Sequence, residues 1–165
     1  MKRNIFIVLL IVFNIAIDQI SKVWVRANFD YGETKSLIGE KFIMQYVENQ
    51  GAFLGMGSDM HPTLKLILLL ILPTIVLGYV IYYIIKNKEL DRMSLIAFCC
   101  IVGGGIANVF DRITRGEVTD FFFINLGGVF KTGIFNVADV SVTTGMLMLL
   151  FSGLFNTKKV QDAQA

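Results

Sequence analysis

Two aspartates near the C-terminal end of the chain stand among apolar residues. Asp120 is followed by three phenylalanines, and Asp139 lies at the start of a long apolar run. A carboxylate beside hydrocarbon is costly unless it is paired, protonated or in a wet cavity. Two such groups, 19 positions apart, suggest a shared proton and acid–base chemistry on water. The simpler alternative is that each is an interfacial residue bonded to Arg112, Arg115 or the backbone.

The surroundings of the two aspartates differ. Asn136 is well placed as the N-cap of the last apolar helix, and Asp139 then lies in the first turn, where the helix dipole favours a negative charge. The phenylalanines after Asp120 form an apolar wall that raises the pKa of this carboxyl. We therefore predict that Asp139 rests as the carboxylate and Asp120 as the acid.

The composition of the chain is that of a membrane protein. Of 165 residues, 55% are hydrophobic, and the mean hydropathy is +0.64. Four runs are long and apolar enough to cross a bilayer, near 5–25, 64–85, 93–113 and 137–155. The length predicts a single integral membrane domain, 1–165. The formal charge of only +2 does not indicate a nucleic-acid partner.

Charge distribution predicts the orientation of these spans. An even number of spans places both termini on one side, together with the short loop between the second and third spans. By the positive-inside rule that side is cytoplasmic. Segments 28–61 and 114–136 are then extracytoplasmic. The basic residues that support this orientation are Lys2, Arg3, Lys86, Lys88, Arg92, Lys158 and Lys159.

The longest outer segment, 28–61, contains two candidate strands. Residues 41–47 are rich in strand-forming types, and 33–38 could pair with them. Asn49 and Gly51 follow, and they belong either to a simple turn or to a backbone that approaches a ligand. His61 is the single histidine, and the two cysteines are adjacent in an apolar run. This pattern does not indicate a metal site.

Polar residues at the spans occur on specific helix faces. Asp18 and Lys22 are four residues apart, which favours an ion pair that anchors the end of the first helix. Asn108 and Arg112 share one face at the outer end of the third span, where Arg112 could orient a carboxylate. Glycines 103–105 in that span are expected to allow close helix packing.

Five short motifs together resemble one family. They are DQISK at 18–22, NQGAF at 49–53, NVFDR at 108–112, VTDF at 118–121 and FNVAD at 135–139. Their order and positions resemble the bacterial lipoprotein signal peptidase, signal peptidase II, over nearly the whole chain. Ala107 departs from the glycine that the family often has before the asparagine, which affects only the packing expected there.

The resemblance implies an all-α bundle of four transmembrane helices with a small extracytoplasmic β-sheet and a mobile outer loop. It implies an aspartic endopeptidase of the bacterial inner membrane that cuts prolipoproteins on the N-terminal side of a diacylglyceryl-modified cysteine. No metal or cofactor is needed. The expected partners are these precursors, membrane lipids and globomycin-type inhibitors, and a monomer is expected. Matched to the family's motifs, the catalytic residues are Asp120 and Asp139, the supporting residues are Asn49, Gly51, Asn108, Arg112 and Asn136, and the structural pair is Asp18 and Lys22.

Two other classes of protein remain as alternatives. A small proton-coupled transporter or channel subunit would also use intramembrane aspartates and a glycine-rich span. Against it, the acids cluster at one face, and no series of carboxylates crosses the bilayer. A non-catalytic assembly subunit would need only the small-residue packing, and it leaves Asp120 and Asp139 unexplained.

Overall fold

Four long helices and one small sheet form the part of the chain that the computed structural model describes, residues 2–51, 57 and 59–162, with side chains as far as 153. The helices are α1 (Arg3–Asn28), α2 (Pro62–Lys86), α3 (Arg92–Arg115) and α4 (Val137–Asp162). The strands are β1 (Thr34–Ile38), β2 (Phe42–Asn49) and β3 (Val118–Ile124). The predicted bundle of four helices with a small sheet is confirmed.

The helices have the lengths and surfaces of membrane spans. α1, α2 and α3 are each long and apolar enough to cross a bilayer, and the apolar part of α4, Val137–Gly153, is shorter. Large apolar side chains cover their outward faces: Phe13 is 59% exposed and Leu150 is 64% exposed. Such exposure is unfavourable in water but suits a hydrocarbon solvent, so the bundle is that of a multi-pass membrane protein.

Within α2 the helix widens before its proline. Residues Leu66–Ile71 form a π-helical stretch, and Pro73 lies two positions after its end. Proline has no backbone N–H to give to the preceding turn, and local π adjustments are one way a spanning helix tolerates it. The distortion of α2 therefore lies on the N-terminal side of Pro73.

α3 is the central helix of the bundle. Half of its most apolar window is buried, against 11% for α1 and 6% for α2. Its three consecutive glycines each face a different helix. A Cβ atom on Gly103 would meet Asn14 of α1, one on Gly104 would meet the carbonyl of Ala138 in α4, and one on Gly105 would meet Leu77 of α2. The packing role predicted for these glycines is thus confirmed.

The sheet is antiparallel, with the strand order β1-β2-β3. The two strands expected in 28–61 are present, but β3 was not predicted. It carries Asp120, for which the sequence predicts only a position in the extracytoplasmic segment 114–136. The run VTDFFFI is rich in strand formers and follows Gly116, a signal that would have identified it. β2 and β3 change register between Met44 and Val47, just before the pair Val47–Asp120.

The sheet lies at one end of the bundle, called the sheet end below. It packs on the last turns of α1, where Val25 and Phe29 form a buried cluster with Met44 and Phe121. At the opposite end, Arg3 donates to the carbonyl of Asn87, so the start of α1 contacts the α2–α3 loop. The ends of α1 and α3 and the start of α4 therefore meet β3 at the sheet end.

Candidate active site

Asp120 is buried beneath β2 and the start of α4. It is only 2% exposed. Its Oδ2 accepts a hydrogen bond from Asn49 Nδ2 at 2.8 Å, and its Oδ1 accepts one from Asn136 Nδ2 at 2.6 Å. Burial, together with the charge of Asp139, raises the pKa of Asp120 to about 7. The two amides oppose this rise. A carboxyl in this state can change protonation near neutral pH.

Asp139 lies in the first turn of α4, as predicted. Its Oδ2 accepts from the backbone N–H of Asn136 at 3.1 Å, and its own N–H donates to Asn136 Oδ1 at 2.9 Å. This reciprocal pair is a capping box, and it satisfies two backbone donors. Asn108 Nδ2 donates to Asp139 Oδ1 at 2.9 Å. Both oxygens of this carboxyl therefore accept hydrogen bonds.

One amide group connects the two aspartates. The side chain of Asn136 donates to Asp120 through Nδ2 and accepts from the N–H of Asp139 through Oδ1. Since a backbone N–H can only donate, the orientation of this amide is fixed by the helix cap. The amino group must then point to Asp120, so one side chain at the start of α4 joins the Asp120 carboxyl to the backbone of Asp139.

The same logic orients the other two asparagines. Asn108 Oδ1 accepts from Lys22 Nζ at 2.9 Å, and Asn49 Oδ1 accepts from the N–H of Gly51 at 2.8 Å. Lysine and backbone N–H groups are donors only. The amino group of Asn108 therefore faces Asp139, and that of Asn49 faces Asp120. Three amides from three separate segments are arranged as donors to two carboxyls.

Arg112 does not pair with either aspartate. Its guanidinium donates to the carbonyls of Gly51 at 2.9 Å and Asn108 at 3.4 Å. Arg115 instead forms an ion pair with Glu48 at 3.2 Å. The alternative in which Arg112 or Arg115 neutralises the aspartates is therefore not what the described residues show. Arg112 fixes the backbone just after β2, and residues 52 and 53 of the NQGAF motif lie outside the described residues.

A buried ion cluster lies next to Asn108. Lys22 Nζ is 2.7 Å from Asp18 Oδ2 and 2.6 Å from Asp111 Oδ2, and the three side chains are at most 1% exposed. The second contact is a close ion pair that lacks hydrogen-bond geometry. Asp18 Oδ1 accepts from the N–H of Ala138 at 2.8 Å. The cluster thus joins α1, α3 and the start of α4.

The sequence predicted the contact of Asp18 with Lys22 but not the role of Asp111. Gln19 also bonds here, donating to Asp111 Oδ1 at 2.9 Å. The available signal was an acid at membrane depth, which requires a partner. Thr119 and Glu48, which bond each other beside Asp120, were missed as well, because β3 was not predicted.

An apolar groove opens at Asp139. Its volume is about 370 Å³. It is lined by Thr132, Gly133, Phe135, Asp139, Val140, Thr143 and Thr144. The α4 residues among these continue along the helix toward the lipid-facing surface, so the groove connects one carboxyl with the hydrocarbon around the bundle.

One buried and one partly buried carboxyl, linked by an amide and flanked by an apolar groove at one end of a membrane helix bundle, are typical of a membrane-embedded aspartic hydrolase. The family model described as signal peptidase (SPase) II matches residues 10–155. The chain belongs to this lipoprotein signal peptidase family, and it is an aspartic-type peptidase that acts on lipoprotein precursors.

Curated relatives and solved structures agree. A lipoprotein signal peptidase of Clostridium novyi (strain NT) is 34% identical over 86% of this chain and 93% of its own length. One from Streptococcus pyogenes serotype M1 is 31% identical over 91% and 93%. A bacterial membrane enzyme structure solved by the in meso method at 2.3 Å resolution has a TM-score of 0.82 and 27% identity, over 93% of this chain and 90% of that one. The comparisons give no support to a transporter.

The ion cluster predicts a large effect of Lys22→Met. Removing the only cation leaves Asp18 and Asp111 buried without a counter-charge, so the free energy of unfolding should fall by about 3–5 kcal/mol. Lys35→Met is the matched control, because Lys35 is 49% exposed in its ion pair with Glu33 and such pairs contribute below about 1 kcal/mol. Unfolding in detergent micelles measures both.

A triple variant separates charge from packing in this prediction. Lys22→Met combined with Asp18→Asn and Asp111→Asn removes the unpaired charges and should recover much of the lost stability. Equal stability of Lys22→Met and the wild-type protein would contradict the importance of the cluster.

Proposed function

We propose that Asp120 and Asp139 are the catalytic pair with which this enzyme cuts prolipoproteins on the N-terminal side of a diacylglyceryl-modified cysteine. The observation that carries the proposal is the single amide of Asn136, bonded to the Asp120 carboxyl and to the helix turn that bears Asp139. In this proposal the amide keeps the two carboxyls close together, with Asp120 buried and Asp139 partly buried. Two close carboxyls cannot both ionise easily, so they share one proton.

The proton rests on Asp120 in this proposal. Burial raises its pKa to about 7, so this carboxyl can hold a proton near neutral pH, where an ordinary aspartate would be ionised. Asp139 has the N–H of Asn136 and the dipole of α4 to stabilise its charge. The dipole contributes below about 1 kcal/mol, so it biases the pair rather than fixing the proton. Each carboxyl oxygen keeps a second lone pair for the shared proton or for a water.

Cleavage then follows from proton transfers between water, the peptide and the pair. The Asp139 carboxylate takes a proton from water as the water oxygen attacks the scissile carbonyl carbon. Asp120 donates its proton to the carbonyl oxygen, where negative charge develops. When the tetrahedral intermediate collapses, the C–N bond breaks, the leaving nitrogen takes the proton from Asp139, and the hydroxyl proton returns to Asp120.

The supporting residues position the groups that react. Asn49, Asn108 and Asn136 hold the carboxyls, while Arg112 fixes the Gly51 carbonyl and therefore the backbone at the end of β2. Lys22 holds Asn108 by a hydrogen bond to its side-chain oxygen, and Asp18 holds the start of α4 by accepting from the N–H of Ala138. The apolar groove at Asp139 is suited to the lipid-modified end of the substrate, because it continues into the hydrocarbon region.

The proposal extends to the setting of the enzyme. The chain is a single integral membrane domain, 1–165, of the bacterial inner membrane and works as a monomer among membrane lipids. Globomycin-type inhibitors should compete with the precursor for the site. Cleavage of a lipid-modified precursor measures this competition.

The first prediction from this function concerns the pair. Asp120→Asn and Asp139→Asn should each lower cleavage of a lipid-modified precursor by at least about 10³-fold, because an amide cannot exchange the proton. Asp30→Asn, an exposed outer position, is the matched control and should keep wild-type turnover. Gel-based cleavage by protein purified into lipid measures this. Substantial turnover by either variant of the pair would exclude the proposed mechanism.

The substrate's lipid is tested in the same assay. A precursor without diacylglycerol on its cysteine should be cut at least about 10²-fold more slowly, because the bilayer no longer holds the scissile bond at the depth of the two aspartates. Lipid-modified and unmodified forms of one precursor are compared at equal concentration. Comparable rates for the two forms would show that the lipid has no positioning role.

The orientation is tested by labelling. We expect both termini and the α2–α3 loop to be cytoplasmic and the sheet end extracytoplasmic, because the basic residues of the short segments lie at the opposite end from the sheet. A membrane-impermeant thiol reagent should label Lys35→Cys but not Glu89→Cys in intact cells. Both are made on a background with Cys99 and Cys100 replaced. The reverse labelling pattern would show that the orientation is opposite to the one proposed.

A further inference from the structure

Glu48 is the centre of a polar network on the face of the sheet opposite Asp120. Its Oε1 accepts hydrogen bonds from the Tyr46 hydroxyl at 2.7 Å and from Arg115 Nη2 at 3.2 Å. The Thr119 hydroxyl is 3.1 Å from both carboxylate oxygens of Glu48, and Arg26 donates to that hydroxyl at 2.7 Å. The Glu48 side chain is only 8% exposed, so these partners must replace the hydrogen bonds that water would otherwise give to its carboxylate.

The network joins elements that are distant from one another in the sequence. Arg26 belongs to the last turn of α1, and Arg115 is the last residue of α3. Glu48 and Thr119 are paired across β2 and β3. The carboxylate therefore connects the ends of two spanning helices to both strands at a single point.

That point is one residue away from the catalytic groups on either strand. Asn49, which donates to Asp120, follows Glu48, and Asp120 follows Thr119. Successive side chains of a strand point to opposite faces, so the network and the Asn49–Asp120 contact lie back to back on the same ladder. A slip of one residue would turn Asn49 away from Asp120.

The ladder by itself is irregular at this place. β2 and β3 shift register between Met44 and Val47, immediately before the pairs Val47–Asp120 and Glu48–Thr119. A register shift interrupts the regular backbone pairing and leaves local alignment to other contacts. A carboxylate with three hydroxyl or guanidinium donors can supply that alignment.

We propose that Glu48 is a positioning residue that sets the alignment of β2 on β3 and thereby holds Asn49 against Asp120. It contacts neither the groove nor the two catalytic carboxyls, and it acts through Asn49. The inference rests on the catalytic role proposed for Asp120. It assigns to the back of the sheet a function in catalysis in addition to its role in folding.

A double-mutant cycle on the full-length enzyme in lipid tests this inference. Glu48→Ala should lower kcat about tenfold and leave KM within about twofold, because the substrate groove is unchanged while Asp120 loses the Asn49 donor and keeps only Asn136. Glu48→Gln keeps the shape and one acceptor oxygen and should show a smaller loss of kcat. The double variant with Asn49→Ala should be no slower than Asn49→Ala alone, because both changes remove the same contact.

Glu40→Ala and Glu40→Gln are the matched controls. Glu40 is exposed in the turn between β1 and β2, so both variants should keep wild-type kcat and KM. Thermal unfolding is measured for every variant, so that kcat is compared among folded proteins. If Glu48→Ala is too unstable to assay, Glu48→Gln carries the same cycle with Asn49→Ala.

Three results would overturn the inference: wild-type kcat in the folded Glu48 variants, a loss confined to KM, or losses from Glu48 and Asn49 that multiply in the double variant. The outcome is distinguishable from a failure of the proposed function. If Asp120→Asn and Asp139→Asn are inactive while the Glu48 variants are normal, only the positioning role fails. If those two aspartate variants remain active, the catalytic assignment itself fails.

Discussion

The buried cation of Lys22 is the constraint on which the rest of this structure depends. Moving a charge out of water costs several kcal/mol, and a single salt bridge rarely repays that cost in full. Here two carboxylates from different helices approach one ammonium group, within 2.7 Å and 2.6 Å. The Gln19 amide and the N–H of Ala138 supply further hydrogen-bond donors to the two carboxyls. α1, α3 and α4 must therefore meet at this level.

From that cluster, orientation passes to Asp120 and Asp139 through groups that can only donate. Lys22 fixes the amide of Asn108, the helix turn at Asp139 fixes that of Asn136, and the N–H of Gly51 fixes that of Asn49. Each amide then has its amino group left for a carboxyl. An asparagine alone could turn either its oxygen or its amino group toward a carboxyl. Here the backbone N–H groups and Lys22 occupy the three oxygens, so the three amino groups face the carboxyls.

The helices and the sheet contribute different degrees of precision to this site. Gly104 lets α3 approach the backbone of Ala138 so closely that a side chain at this position would collide with its carbonyl. Asp139 is therefore carried on a rigid contact between two spanning helices. Asp120 is carried by a short strand with an irregular register, and it is held by side chains from β2 and α4. One member of the pair depends on helix packing, and the other depends on polar contacts that fasten the sheet to the bundle.

The sequence by itself determined the features that arise from local chemistry. Apolar runs of sufficient length specify the spanning helices, Asn136 and Asp139 specify the cap of α4 through a three-residue spacing, and Asp18 and Lys22 pair across one helical turn. The five motifs also identified the family. Only the tertiary structure decided which distant groups meet: Asp111 with Lys22, Asn49 with Asp120, and Glu48 with Arg115 and Thr119. Residues 49 and 120 are 71 positions apart, and no periodicity encodes such a distance. Their contact depends on the pairing of β3 with β2 and on the packing of α1, α3 and α4 around the buried Lys22. A packing that left this lysine unpaired would cost several kcal/mol, which disfavours it.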